Sequence, residues 1–416
     1  MLGSIGRRVQ AAVAALGTRR LALIAPVLVV AFVGAAVAMG GDDSTVQTTE
    51  EDTVDHPRLV STSKGVSTSS KPTTTTAPVE PDVVQPPTAG VPLEEVPDSD
   101  SAFGSPGDGV AAQPPEPWPQ GCCAPLTNLG FDSPYGPNGP AMAVKVSNAP
   151  QADPHTGLNR ADLIYELRVI GVSRFIAVYH SRDVDVLGPI RSARTSDPPI
   201  LAALGTPIVA YSGGNPRVYE VFDQRQADGF LMNARYNINS GWFFRTTDRV
   251  LPHNFYGHRN AIVEALGSRA TPPTPQFTFL ADGTRNASST PASRIDVVVS
   301  GTKSSWTWDD ASQMWLRSQY GRPHVNRENG AQIGRTSVIV LGTQYRPSTA
   351  DARSPEAITV SGGPAWVLTG NTLTTGTWHR ESERDTFELR DASDNPIGLL
   401  SGPVYVALTD VAPAVG

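Results

Sequence analysis

The sequence predicts an α+β fold, with a mixed α/β layered N-terminal domain at 121–285 followed by a smaller, mostly antiparallel β domain at 286–416. A single transmembrane helix and a disordered linker precede them. Three observations carry this expectation. Helix-period and strand-period segments are interspersed between 141 and 269, the pattern turns to strands alone beyond TPPTPQ at 271–276, and the residues between 41 and 120 hold few large apolar side chains.

Taken from the N-terminus, residues 1–20 form a short basic segment that ends in Arg19 and Arg20. The stretch 21–40, LALIAPVLVVAFVGAAVAMG, is uncharged and is followed by Asp42 and Asp43. About 20 apolar residues at helical rise cross a hydrocarbon core of ~30 Å, and a basic flank on one side stays in the cytoplasm. This predicts a signal anchor: a single-pass protein of the cell membrane with its C-terminal bulk outside the cytoplasm. The alternative is a cleaved signal peptide, since Ala36-Val37-Ala38 has the small-x-small form of a cleavage site. Both readings export the chain.

Residues 41–120 are rich in Pro, Thr and Ser and show no sustained periodicity. Such a stretch cannot bury enough apolar surface to offset its ordering entropy, so it reads as a disordered spacer with polyproline II character. At about 80 residues its typical span is about 50 Å.

Within the first domain, AMAVKVSN at 141–148 alternates like a half-buried strand. Two apolar-alternating runs flank Gly171 and Val172 in 162–181 and read as a β-hairpin. Short helical patterns follow at 198–204 and 218–226, with a compact β run at 207–212 between them. RNAIVEALGSR at 259–269 is the best helix, with apolar positions three and four apart. In the second domain, strands are expected at 294–300, 306–308 paired with 314–317, 337–341, 365–368, 371–379, 386–390 and 404–409. Asp309 to Ser312 and Asp391 to Asn395 supply turn chemistry between them. Five tryptophans lie in this half, at 306, 308, 315, 366 and 378. Aromatics alternating along strands are expected in a core, although an exposed row would stack on sugar rings.

The net charge is -7 and the pI is near 5.5, which argues against a nucleic-acid partner that needs a broad basic face, while leaving room for a local basic pocket. Cys122 and Cys123 are the only cysteines. Neighbouring Cα atoms across a trans peptide lie closer than a disulfide prefers, so two free or casually oxidised thiols are the simpler expectation, with a strained redox switch or an intermolecular crosslink as the alternatives.

Several blocks occur in order: PLTN at 125–128, TGLNRADLIYE at 156–166, SRFIAVYHS at 173–181, LGPIRSAR at 187–194, YSGGNP at 211–216, PHNFY at 252–256 and GTWHR at 376–380. In these the chain resembles the YerB-like family, exported bacterial proteins described as lipoproteins and without an assigned activity. The resemblance spans about 125–410 and implies a mixed N-terminal domain and a smaller C-terminal β domain. This chain departs from the family in carrying an apolar segment and long tether where a lipidated cysteine is expected. It also reads RVIGVSR at 168–174, where the family often has an acidic residue and a double glycine.

Candidate site residues centre on Arg191, Ser192 and Arg194, after the Gly188-Pro189 turn. Two guanidinium forks three residues apart, with the Ser192 and Ser196 hydroxyls, would cradle phosphate or carboxylate, and Arg174 across the hairpin would be a third donor. The structural alternative locks these arginines in salt bridges with Glu166, Asp162 or Asp197. Gly213 and Gly214 follow a β run and precede a helix, where backbone N–H groups approach anions, or form only a tight turn. His253 and Glu166 are the candidates for proton transfer, with Asn254 beside the histidine. His253 and His258 are five apart and no acidic or Cys cluster completes a zinc set, so no metal and no cofactor is expected. No standard hydrolase or metalloprotease signature occurs. The expected function is binding of an anionic or cell-wall-derived ligand in an arginine-lined cleft. The alternatives are an envelope glycopolymer hydrolase or transferase, and a scaffold for envelope protein partners. These separate on whether Arg174, Arg191, Arg194, Gly213 and His253 share one site.

Overall fold

The computed structural model describes residues 112–236 and 241–416, which belong to one compact unit. The expected membrane segment at 21–40 and the spacer up to 111 lie outside the described residues. No helix among the described residues is long and apolar enough to cross a membrane.

The backbone of the fold is an eleven-stranded sheet among the described residues. From one edge it runs Glu388–Asp391, Thr372–Arg380, Ser361–Thr369, Ser337–Gly342, Val404–Thr409, Leu163–Arg168, Ser173–Tyr179, Met142–Ser147, Ile208–Tyr211 and Met232–Arg235, with the short strand Thr290–Pro291 paired to Thr372–Arg380. Strands from both halves of the sequence therefore share one sheet. Val404–Thr409 is the joint: it pairs in parallel with Ser337–Gly342 on one side and with Leu163–Arg168 on the other. The C-terminal half is β-rich, as its pattern predicts, but this strand is neither antiparallel nor confined to that half.

Burial explains the sequence patterns. VYVALT at 404–409 is buried at every position, as are MAVKVS at 142–147 and SRFIAVY at 173–179. Strands covered on both faces read as near-continuous apolar runs, and these are the central ones. Edge strands alternate instead, as in the buried and partly exposed positions of Met232–Arg235.

On one face the sheet is covered by α1 (Asp197–Leu201) and α2 (Pro216–Ala227), which bury Ile200, Leu201, Val218 and Phe222 against Tyr165, Leu167 and Ile176. α2 starts where chemistry demands: the Asn215 side chain accepts from Val218 N at 2.9 Å, and Pro216 occupies the first turn. The other face carries α3 (Arg259–Leu266) and a second, six-stranded sheet made of Arg322–Pro323, Met314–Gln319, Thr302–Asp309, Arg294–Val299 and Ala414–Val415, with Gly334–Arg335 beside Met314–Gln319. Trp306, Trp315 and Trp378 are buried, so the tryptophans serve the core rather than an exposed row.

Two expectations change. The spacer does not extend to 120: Gln113 forms a parallel bridge with Ala331, Trp118 is buried under Arg182 at 4.7 Å, and Glu116 pairs with Arg160 at 2.6 Å. Backbone contacts add to these, with Arg182 Nη1 donating to Pro117 O at 3.1 Å and Gln332 N to Gln113 O at 2.9 Å, and the Pro-rich composition hides them all. Cys122 and Cys123 are joined to each other rather than free.

The two sheets are tied by one ion pair. Arg317, from Met314–Gln319, reaches the large sheet and donates to Glu166 Oε2 at 3.1 Å, with both side chains only 1% exposed. Its guanidinium lies over Phe175, Trp306 and Tyr405. Tyr405 and Ser173 hydroxyls also donate to Glu166, and Asn148 Nδ2 does so at 3.0 Å. Removing one partner of such a pair leaves a buried charge uncompensated, so Arg317→Met is expected to cost about 3–5 kcal/mol. Urea denaturation tests this: the double variant Glu166→Gln with Arg317→Met should recover part of the loss, and an additive double variant would contradict the pairing.

Candidate functional site

The large sheet separates the candidate residues into two groups. Strand registers place Glu166 opposite Phe175, and Leu167 opposite Arg174, which also faces Ser147. Side chains alternate along strands, so Glu166 lies on the face of the six-stranded sheet, while Arg174, Lys145 and Ser147 lie on the face of α1 and α2. Glu166 is fully buried, with both oxygens engaged. It does not join the arginines.

On the α1 and α2 face, residues 188–194 run past the carboxyl ends of two parallel strands, Met142–Ser147 and Ile208–Tyr211. Arg191 N donates to Lys145 O at 2.8 Å, Ser212 N to Arg191 O at 3.1 Å, and Ala193 N to Gly213 O at 2.8 Å. This segment is not helical, so Arg191 and Arg194 do not face one side by helical spacing. Tertiary hydrogen bonds bring them together instead. Arg174 Nη1 donates to Ser192 O at 2.9 Å, which sets a third guanidinium behind the same segment.

The electrostatics follow from the same proximity. Burial, followed by repulsion from Arg194 and then Arg191, pushes Arg174 down to about 9. Burial and Arg194 lower Arg191. Lys145 is pushed down to about 8 by burial, against the pull of Asp197 at 2.6 Å, with Arg174 and Arg194 adding repulsion. His253, whose Nδ1 lies 3.3 Å from Ser147 Oγ, is lowered to about 4 by burial and then by Arg191, Arg174 and Arg249. Its imidazole is neutral at physiological pH, and far from the basicity a general base needs there.

None of the carboxylates offered as salt-bridge partners takes one of these guanidiniums. Glu166 holds Arg317, Asp162 accepts from the backbone N–H groups of His180 and Ser181, and Asp197 holds Lys145 through Oδ1 while its Oδ2 accepts from Arg194 N at 2.8 Å. Among the described residues, no carboxylate lies within 4.0 Å of the guanidinium nitrogens of Arg174, Arg191 or Arg194. Arg194 Nη1 bonds only to Ala193 O, and its Nε is buried without a partner.

Other candidates have local duties. Gly214 N donates to the Tyr219 hydroxyl at 3.0 Å, and Gly213 O takes Ala193 N, so this loop is a helix entry with limited free backbone. Asn254 is fixed by Arg245 and Thr246 at 2.9 Å each, within the hairpin Phe243–Arg245 and Phe255–His258. Ser196 Oγ accepts from Ala357 N at 2.9 Å. His258 pairs with Asp185 at 2.8 Å.

A cavity of about 230 Å³ opens beside Ser192 and Arg194. Its far wall is the loop 348–354 between strands Tyr345–Pro347 and Pro355–Ala357, latched by Asn215 Nδ2 donating to Ala350 O at 3.2 Å. Ser348, Asp351 and Ser354 on this loop went unmarked in the sequence. Their only signal is a run of small polar turn residues.

Asp153, His155 and His324 also lie together, with one potential ligand atom each within 4.8 Å of the others. Hydrogen-bond directions decide what this cluster does. Ser147 O can only accept, so His155 Nε2 at 2.6 Å donates. Arg317 Nη1 can only donate, so His324 Nδ1 at 2.7 Å accepts. His324 Nε2 then donates to His155 Nδ1 at 2.7 Å. Every ring nitrogen of these two neutral imidazoles is used, leaving no lone pair for a metal.

Two family descriptions match the chain. "Protein of unknown function (DUF3048) N-terminal domain" covers residues 126–272, and its C-terminal counterpart covers 295–406. The chain is 24% identical over 258 residues to "Putative lipoprotein YerB" of Bacillus subtilis (strain 168), covering 61% of this chain and 76% of that protein. The crystal structure of the YerB protein from Bacillus subtilis matches with a TM-score of 0.60 at 19% identity, over 71% of this chain and all of that one. That likeness speaks for the fold.

The histidine relay makes a pH prediction. His155 is pushed down to about 3 by burial, and His324 is lowered by burial, then Arg317 and His155. Folded values below the unfolded ~6.5 mean that the unfolded chain takes up protons first, so stability is full above that pH and falls as pH drops toward 3. Carboxylates raised by burial, such as Asp153, act in the opposite sense in the acid range. Comparing wild type with His155→Gln removes that common background. Between pH 6.5 and 4 the wild type should lose about 1.4 kcal/mol per pH unit more than the variant in chemical denaturation, and parallel profiles would contradict the relay.

Proposed function

The chain belongs to the YerB-like family, and from that premise we propose that it is an envelope protein, held at the membrane through 21–40, that binds an anionic or wall-derived ligand in the arginine cleft. Its relative carries a lipoprotein's name. Here the apolar segment would take the place of the lipid, and the spacer would carry the folded unit outward. Cell-wall polymer and other envelope proteins are the partners this location offers.

The observation that carries the reading is a group of three guanidiniums with no carboxylate in salt-bridge contact. Arg174, 93% buried by its 7% exposure, is lowered by burial and then by Arg194 and Arg191, and Arg191 by burial and then Arg194; Asp197 and Asp351 pull Arg194 upward, yet among the described residues neither comes within 4.0 Å of a guanidinium nitrogen of the three. An arrangement kept for stability would pair them. A bound anion relieves the repulsion and uses forks suited to phosphate or carboxylate. The site lies outside the carboxyl ends of parallel strands and beside the start of α2, both favourable to anions.

This separates function from stability. Arg191→Gln should weaken binding of inorganic phosphate roughly tenfold or more, the scale of a charge-assisted hydrogen bond, while thermal stability stays equal or rises. Isothermal titration and thermal melts of the same variant read both. Unchanged phosphate binding, or a marked loss of stability, would favour a structural role.

A further inference from the structure

The cavity beside the arginines is lined by both cationic and hydroxyl-bearing side chains, and this bears on which anion it takes. Ser192 and Arg194 line it, and Arg174 Nη1 donates to Ser192 O. Thr195 Oγ1 and Ser348 Oγ, also in its lining, lie 2.8 Å apart, each residue 6% exposed, and the Asp351 carboxylate, whose charge acts on Arg194, accepts from Ser354 Oγ at 3.1 Å. Ser348 Oγ also accepts from Ala350 N at 3.1 Å. The Thr195–Ser348 pair thus keeps one hydroxyl proton and two lone pairs free, and Asp351 Oδ2 keeps a further acceptor position.

Ile170, at the hairpin tip, is 53% exposed and lines the cavity opposite Val218. No core contact explains an isoleucine there, but the C–H face of a small polyol or sugar ring would cover it. The volume of about 230 Å³ lies below the range of roughly 300–1,000 Å³ common for drug-sized ligands, so the site suits one small unit or the end unit of a polymer.

We infer that this cavity takes a phosphate joined to a small hydroxyl-bearing group, a polyol or sugar phosphate, with the phosphate toward the arginines and the hydroxyls against loop 348–354. This deepens the arginine-cleft reading and rests on it. Asp351 supplies the selectivity. Its carboxylate is kept ionised by hydrogen bonds from Arg353 N and Ser354 Oγ. It accepts from a hydroxyl and repels a second phosphate, so a monophosphate with a neutral appendage is favoured over a bisphosphate.

The test titrates the full chain, in phosphatidylcholine nanodiscs, with inorganic phosphate, glycerol 1-phosphate, phosphoethanolamine and fructose 1,6-bisphosphate. Glycerol 1-phosphate is expected to bind roughly tenfold more tightly than inorganic phosphate, the scale of one or two net hydrogen bonds. Asp351→Asn and Ile170→Ala should each shrink that preference, read as the ratio of the two affinities, with Asp351→Asn binding inorganic phosphate at least as tightly as the wild type. Equal affinities for the two, or tighter binding of phosphoethanolamine or the bisphosphate, would overturn the inference while leaving the anion cleft standing. Failure of every anion to bind would overturn both. Repeating the titration with phosphatidylglycerol in the disc distinguishes the source: a weaker apparent affinity for glycerol 1-phosphate points to the lipid headgroup, an unchanged one to a soluble or polymeric ligand, and both support the chemistry.

Discussion

Everything in this fold depends on where the strand Val404–Thr409 goes. It enters between Leu163–Arg168 and Ser337–Gly342 and pairs in parallel with both, so neither half of the sequence completes its sheet alone. Parallel pairing also demands cover on both faces, which is why the strand carries no exposed position. With this insertion the C-terminal residues gain two duties, one on each side of the sheet.

On one side, Tyr405 of the inserted strand and Arg317 of the second sheet close around Glu166. That network satisfies a carboxylate that the strand register already places on the face away from the cleft. On the opposite side, the loop 348–354 is brought over Ser192 and Arg194. The same topology thus supplies the cleft's second wall, and with it the Asp351 carboxylate, whose charge acts on Arg194. Asp197 is divided between Lys145, at 2.6 Å, and the backbone N–H of Arg194, at 2.8 Å. What remains is a patch of positive charge held in place by backbone hydrogen bonds, where desolvation and mutual repulsion both act against the free state and in favour of a bound anion.

Much of this was legible beforehand, for reasons that can be named. The long apolar runs at 142–147 and 404–409 and the hairpin about Gly171 are local patterns, and Gly171 adopts the φ of 76° that its turn needs. Arg191 and Arg194 stand out as two forks three residues apart after a Gly-Pro turn, with Arg174 across the hairpin, but the helical spacing behind that reading is absent and tertiary hydrogen bonds take its place. What sequence reasoning missed is non-local. Nothing in TVQ-like composition ahead of 121 signals that Trp118 docks on Arg182, and nothing in STADARS at 348–354 points to Arg194. His155 and His324 are 169 residues apart and are joined only by folding. The strand period also shows that Glu166 and Arg174 lie on opposite faces, but only once the register of the hairpin is known.

The most direct measurement is arginine side-chain NMR, following the Nε–Hε resonances of Arg174, Arg191 and Arg194 as glycerol 1-phosphate is added to the full chain. The account predicts saturable shifts of these three together, while Arg317, across the sheet, stays fixed. Shifts spread over exposed arginines such as Arg353, with the three in the cleft unmoved, would contradict it.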